Sequence, residues 1–270
     1  MMEWIAVILL GIIEGFTEFL PVSSTGHLLL AQYLFKGQFG LAQQSDLFNT
    51  VIQCGAVLAV LVLFTRRTKQ LVFEWREPAT RQFLLKLATA FFITGLGGIA
   101  LKKAGFERPE AAGPIMWATL IGGFVIFAVE QRFKGRTPQA EISWASAVLV
   151  GLAQLLAAAF PGTSRSAATI LAAMVVGASR PAATEFSFLV GIPTLLSAGA
   201  LQIFLAWRDA QEQGVAIAEN WGHLAVAGVV AAVTAFLAVK WLLRFVQSHT
   251  FVAFGWYRIA LGVLIFLTLR

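Results

Sequence analysis

Runs of nearly unbroken apolar residues recur along the whole chain, several of them reaching the roughly 20 residues needed to cross a hydrocarbon core. A water-soluble fold cannot bury that many such runs. Only 13% of residues are charged, against about 25% in an ordinary soluble domain, so little polar surface exists to cover them. The mean hydropathy of +0.78 agrees. Backbone N–H and C=O groups in lipid must be paired within their own segment, which favours helices. The chain therefore reads as an all-α integral membrane protein, one membrane domain over residues 1–270 with no sizeable soluble part. Met1-Met2-Glu3-Trp4 lacks the basic stretch that opens a secretory signal, so the first apolar run is read as retained. The formal charge of +6 sits mostly in short loops beside the spans, as orientation in a membrane requires, and does not point to nucleic acid. Cys54, the single cysteine, lies in an apolar run and reads as inert packing, with no partner in the chain for a disulfide.

One plan is written twice. The stretch from Gly11, GIIEGFTEFLPVSSTGH, aligns without a gap with that from Gly151, GLAQLLAAAFPGTSRSA, placing Glu14 over Gln154, Pro21 over Pro161 and Ser24 over Ser164. Repeat one covers about 1–135 and repeat two about 141–270. Three spans follow each broken segment: 48–64, 84–101 and 115–129 in the first repeat, and 186–205, 224–241 and 254–269 in the second. The residues flanking each polar loop are too few for two crossings, so each broken segment is expected to be a re-entrant helical hairpin. Irregular backbone persists at membrane depth only where it is buried in protein or lines a wet cavity, so the two loops are expected to share a polar pocket. A hairpin that returns to its own side plus three spans crosses an odd number of times, and the second repeat is then inverted. The face carrying Arg66, Arg67, Lys69, Arg76, Arg81, Arg132, Lys134, Arg136, Arg180, Lys240 and Arg244 outweighs that carrying Lys36, Lys102, Lys103, Arg108, Arg208 and Arg270. The first is expected to be cytoplasmic, with the first hairpin entering from outside.

Glu14, Glu18, His27, Arg165, Glu185 and Arg258 are ionisable at membrane depth, where each costs about 2.5–3.5 kcal/mol and a functional or pairing role is the default. Glu14 and Glu18 share one helix face. Like charges there repel unless a cation or proton intervenes, which suggests a divalent ion, one protonated carboxyl, or simple neutralisation of Arg165 and Arg258. After Pro21, Ser23-Ser24-Thr25-Gly26-His27 has the composition of a turn opening a helix, with hydroxyls at its N-cap and amides that attract phosphate. Ser24 and His27 are close enough in sequence for the imidazole to handle the hydroxyl proton. An N-cap serine beside a structural histidine is the plainer alternative. Gly162-Thr163-Ser164-Arg165-Ser166 repeats the hydroxyl-rich turn, with arginine where the first copy has Thr25. Its planar fork suits phosphate oxygens. Acids, nucleophile and imidazole from one repeat, with an anion clamp from the other, are the parts that phosphoryl transfer needs. Glu185 is expected to start a span at the membrane surface and pair with Arg180, while His223 and His249 are given no role.

EGFTEFLPVSSTGH at Glu14 to His27, PGTSRS at Pro161 to Ser166 and EFSFLVGIP at Glu185 to Pro193 resemble the signatures of the undecaprenyl-pyrophosphate phosphatase family, also called bacitracin-resistance proteins. The resemblance runs over the whole chain, and the first motif is long enough to be highly specific. It implies an all-helical, multi-pass enzyme of the bacterial inner membrane with inverted repeats, stimulated by Mg²⁺ or Ca²⁺. Such an enzyme removes the terminal phosphate of undecaprenyl pyrophosphate, recycles the lipid carrier of cell-wall synthesis and confers bacitracin resistance. By motif position it implies Glu14, Glu18, Ser24, His27, Ser164 and Arg165 as functional residues. Ser23, Thr25, Gly26, Thr163 and Ser166 are expected around the phosphate, Glu14 and Glu18 around the cation, and the site is expected to open to the periplasm. Ala167 stands where the family usually has glycine and Asn49 where it often has an acid; Ala167 is expected to tighten the backbone near Arg165. Similarity to type-2 phosphatidic-acid phosphatases stops at Thr25 to His27, since their second histidine would fall at Leu171. A transporter of polyprenyl phosphate stays open as the alternative, because inverted repeats are typical of alternating access. Also open are the nucleophile, between Ser24, His27 and a metal-bound water, and association into a homo-oligomer.

Overall fold

Side chains that take up the first amides, or a proline that has no amide to satisfy, mark the starts of several helices. The computed structural model describes residues 2–34, 45–135, 137–214 and 220–269; Lys36, Arg136 and Arg270 of the charge count lie outside them. In chain order the helices are α1 (Met2–Thr17), α2 (Ser24–Leu34), α3 (Asp46–Leu63), α4 (Thr65–Phe73), α5 (Pro78–Lys103), α6 (Ala112–Phe133), α7 (Trp144–Ala159), α8 (Arg165–Val175), α9 (Arg180–Gln213), α10 (Trp221–Phe245) and α11 (Val252–Thr268). Ser45 accepts from the Phe48 amide at 2.9 Å to open α3, and Ser143, Ser179 and Asn220 do the same for α7, α9 and α10. Pro78 stands at the start of α5, where its missing N–H is no loss. Gly214, in the left-handed conformation, ends α9.

Among the described residues, α5, α6, α9 and α10 are each long and apolar enough to cross a membrane, and α3 with α4 makes a fifth span if the pair is counted as one. The chain bends by 79° between α3 and α4. The apolar run 48–64 predicts a span that ends at Phe64, with no helix after it. The basic residues of α4 do not continue the apolar run, and α4 turns aside from the span with Arg67 ion-paired to Glu185 at 3.0 Å. Residues 254–269, expected as a full span, form α11 at 17 residues, one of the shorter apolar helices. The exterior of the bundle is apolar, with Leu96, Ile121, Phe124, Val229 and Leu237 exposed, whereas Glu14, Glu18 and Arg258 are buried. That distribution suits a hydrocarbon solvent and makes this a multi-pass membrane protein.

Helices α1 and α7 have 16 residues each, and α2 and α8 have 11 each. Before α7, the Gln139 amide donates to the Gly177 carbonyl at 2.8 Å, and after α8 the Ser179 amide donates to the Gln139 carbonyl at 2.8 Å. The chain therefore enters α7 and leaves α8 at one end, so the two form a hairpin. Packing partners exchange between the halves: α1 lies along α10 and α7 along α5, while α3 meets α9 and α6 meets α11. Close approach depends on small residues. At Gly55 of α3 an added Cβ would fall 2.7 Å from the Gly228 Cα of α10.

Candidate active site

The turn after α1 and the turn after α7 meet inside the bundle. Ser166 Oγ donates to the Leu20 carbonyl at 2.8 Å, tying the start of α8 to the first turn. Arg165 lies beside it and donates to Glu18 Oε1 from Nε at 3.3 Å and from Nη2 at 3.2 Å. The other oxygen, Glu18 Oε2, accepts the Ser24 hydroxyl at 2.9 Å. One carboxylate, 7% exposed, thus joins the hydroxyl of the first turn to the guanidinium of the second. Arg165 also lies over the Phe19 ring, and its Nη1 is buried without a hydrogen-bond partner. Gly191 of α9 leaves room for it, since a Cβ there would strike Nη1.

Ser23 and Ser164 have φ of 74° and 67°, in the left-handed region where serine is strained by about 1–3 kcal/mol. Each starts a helix: Ser23 Oγ accepts from the Gly26 amide at 3.3 Å, and Ser164 Oγ accepts from the Ala167 amide at 3.3 Å. This corrects the gapless alignment. Ser23 and Ser164 are the structural equivalents, so Arg165 occupies the place of Ser24, the first residue of its helix, rather than that of Thr25. Gly162, at φ 93°, lies in the second turn, which has one more residue after its proline than the first. Because Ser166 Oγ spends its proton on Leu20, the 3.1 Å contact between Ser164 and Ser166 is donated by Ser164. Thr163 Oγ1 turns back to the Phe160 carbonyl at 2.7 Å, while Thr25 is exposed at the start of α2. The first amides of α2 and α8 have no intrahelical acceptor and suit an anion. Ala167 is buried in α8 in ordinary helical geometry, a conformation that does not call for glycine. Asn49 falls in α3, with its Oδ1 buried and without a hydrogen-bond partner.

His27 does not meet Ser24. Its Nδ1 is 2.7 Å from the Ser23 carbonyl and its Nε2 is 2.6 Å from the Tyr257 hydroxyl, so Glu18, not the imidazole, is the group positioned for the Ser24 proton. Arg258, fully buried, pairs with no acid in the site. It donates to the carbonyls of Thr119 at 3.1 Å, and of Ala118 and Gly162 at 3.0 Å, and so braces the second turn. Glu185 meets Arg67, not Arg180; Arg180 pairs with the buried Glu130, a residue the sequence reading passed over. The span starts earlier than expected, at Arg180, which turns Glu185 toward α4.

Glu14 is 0% exposed and neither of its oxygens has a hydrogen bond, although Glu18 and Gln53 lie beside it. Its counterpart Gln154 is neutral and donates to Thr94 at 3.0 Å. Two orphaned carboxylate oxygens fit a hard cation, which takes oxygen ligands and can complete its shell with phosphate and water. Among the described residues no group of three or more His, Cys, Asp or Glu side chains could hold a metal alone. Since both oxygens of Glu18 are already engaged, Glu14 is the better-suited ligand of the two.

A bundle of apolar helices that brings a buried carboxylate together with a hydroxyl and a guanidinium where two broken segments meet defines a membrane protein with an internal polar centre. The chain belongs to the family described as bacitracin resistance protein BacA, whose model it matches over residues 7–264. A relative from Rhizobium johnstonii is 49% identical over 265 residues, which cover 98% of this chain and 96% of that one. Relatives from Xylella fastidiosa, at 46% over 266 residues, and Xanthomonas axonopodis pv. citri, at 44% over 271 residues, align over 98% or more of both chains. All three carry the name undecaprenyl-diphosphatase. Tyr257, Gly191 and Gln53 were missed by motif and spacing alone; only Gly191 had a signal, its place in EFSFLVGIP.

Proposed function

We propose that this chain is an undecaprenyl-diphosphatase, hydrolysing the terminal phosphoanhydride of undecaprenyl pyrophosphate to undecaprenyl phosphate and inorganic phosphate. The observation that carries the reading is Ser24 Oγ hydrogen-bonded to Glu18, whose other oxygen holds Arg165. A carrier of lipid phosphate needs an anion site but no hydroxyl paired to a buried base, which favours hydrolysis over transport.

Ser24 Oγ attacks the terminal phosphorus as its proton passes to Glu18. The bond from that phosphorus to the bridging oxygen breaks, and its electron pair leaves with undecaprenyl phosphate. Water then cleaves phosphoserine, giving inorganic phosphate and restoring the hydroxyl. Arg165 and the first amides of α2 and α8 stabilise charge on the transferred group, the main task of a protein in phosphoryl transfer. A divalent cation, Mg²⁺ or Ca²⁺, held by Glu14 with Glu18 beside it, would supply Lewis-acid neutralisation of the pyrophosphate.

The further reading is of two inverted repeats in the bacterial inner membrane, with both hairpins re-entrant and the site open to the periplasm. Its support is the exchange of packing partners between the halves, and the gathering of Arg67, Arg180, Glu130 and Glu185 at one end of the bundle. The positive-inside rule supports reading that end as the cytoplasmic one. Helix α2 leads away from it, packing Leu30 against Met116 near the start of α6 and Ile265 near the end of α11. Purified protein in detergent with Mg²⁺ should release phosphate from undecaprenyl pyrophosphate at a rate proportional to enzyme; no release above the detergent control sinks the reading.

A further inference from the structure

Tyr257 belongs to none of the sequence motifs, yet its hydroxyl oxygen is 2.6 Å from His27 Nε2, and the two rings stack with centroids 5.5 Å apart and planes within 10°. The other ring nitrogen settles the direction of that bond. His27 Nδ1 is 2.7 Å from the Ser23 carbonyl, which can only accept, so Nδ1 carries the proton. The lone pair of a neutral imidazole is then on Nε2, and the Tyr257 O–H donates to it. Tyr257 is itself held in place. Its neighbour Arg258 spans the carbonyls of Ala118, Thr119 and Gly162, locking α11 to α6 and to the second turn. His27 is therefore gripped from the left-handed Ser23 on one side and from a helix of the opposite half on the other.

We propose that Tyr257 is a positioning residue of the active site: its hydroxyl holds His27 as the Nδ1–H tautomer, and that Nδ1–H, bound to the Ser23 carbonyl, steadies the turn that presents the Ser24 hydroxyl to Glu18. The kinetic consequence rests on the phosphatase reading above; the tautomer does not. Tyr257→Phe keeps the ring and its stack and removes only the hydroxyl. In ¹⁵N-labelled protein carrying His223→Gln and His249→Gln, His27 is the single histidine, and its nitrogen shifts should report a protonated Nδ1 and a bare, hydrogen-bonded Nε2. Adding Tyr257→Phe should move the Nε2 resonance and mix the tautomers. In the otherwise native protein with Mg²⁺, Tyr257→Phe should lower kcat for phosphate release from undecaprenyl pyrophosphate by about tenfold or more. KM should change by less than about twofold, because no contact with bound lipid is removed. A protonated Nε2 before the substitution, nitrogen shifts unaffected by it, or an unaltered kcat overturns the proposal. The expected tautomer in a protein that releases no phosphate would instead overturn the proposed activity and leave the Tyr257 bond standing.

Discussion

Glu18 carries more of the site than its spacing from Glu14 suggested. In sequence the two acids look alike; in the structure Glu18 is committed to Ser24 and Arg165, and Glu14 alone keeps unpartnered oxygens. Glu14→Gln should therefore weaken stimulation by Mg²⁺ or Ca²⁺, measured as a right-shifted metal titration of phosphate release, while the Ser24 hydrogen bond survives. An unchanged titration would remove Glu14 from the metal site. Arg165→Lys keeps the charge but loses the fork across Glu18 and the free Nη1, and kcat should fall about 10²-fold, nearly as far as in Arg165→Ala. Full activity in the lysine variant would remove the clamp. Ser24, Glu18 and Arg165 were legible because rare polar residues in apolar segments stand out. The partner of His27 was not, since Tyr257 lies 230 positions away and nothing local marks it.

Helix boundaries explain where the alignment of the two copies slipped. Prolines 21 and 161 align, but α2 and α8 start at Ser24 and Arg165, and Gly162 lies in the longer second turn. A gap of one residue inside a turn leaves no trace in hydropathy. The kink at Phe64 was likewise hidden, because a short basic helix such as α4 looks like a basic loop in a scale tuned to spans. Two glycines test how helix packing supports the site. Gly191→Ala would place a Cβ against Arg165 Nη1, so phosphate release should fall about tenfold or more with little change in Tm. Gly55→Val would instead push α3 from α10, where a Cβ lies 2.7 Å from the Gly228 Cα; overpacking should cost about 1–3 kcal/mol, read as a lower Tm. Normal activity in the first variant, or a native Tm in the second, would show that these contacts relax.

At the scale of the whole molecule the sequence made the membrane, the helices and the pairing of two broken segments visible, because hydrocarbon leaves a chain few ways to satisfy its backbone. How the halves interlock was not visible, since the lengthwise contacts of α1 with α10 and of α7 with α5 depend on surfaces that all read as apolar. The proposed orientation puts Thr25, exposed at the start of α2, on the side away from the cytoplasm. In a Cys54→Ala background, Thr25→Cys should react with a membrane-impermeant thiol reagent added to intact spheroplasts. Labelling only after the inner face is exposed would contradict that orientation. The central claim is that one site, built from both broken segments, performs hydrolysis through Ser24. Its most direct test is the rate of phosphate release from undecaprenyl pyrophosphate by purified Ser24→Ala beside the native chain, with lipid binding measured on both. The account predicts a fall of about 10³-fold or more with binding retained, and a near-native rate from Ser24→Ala would contradict it.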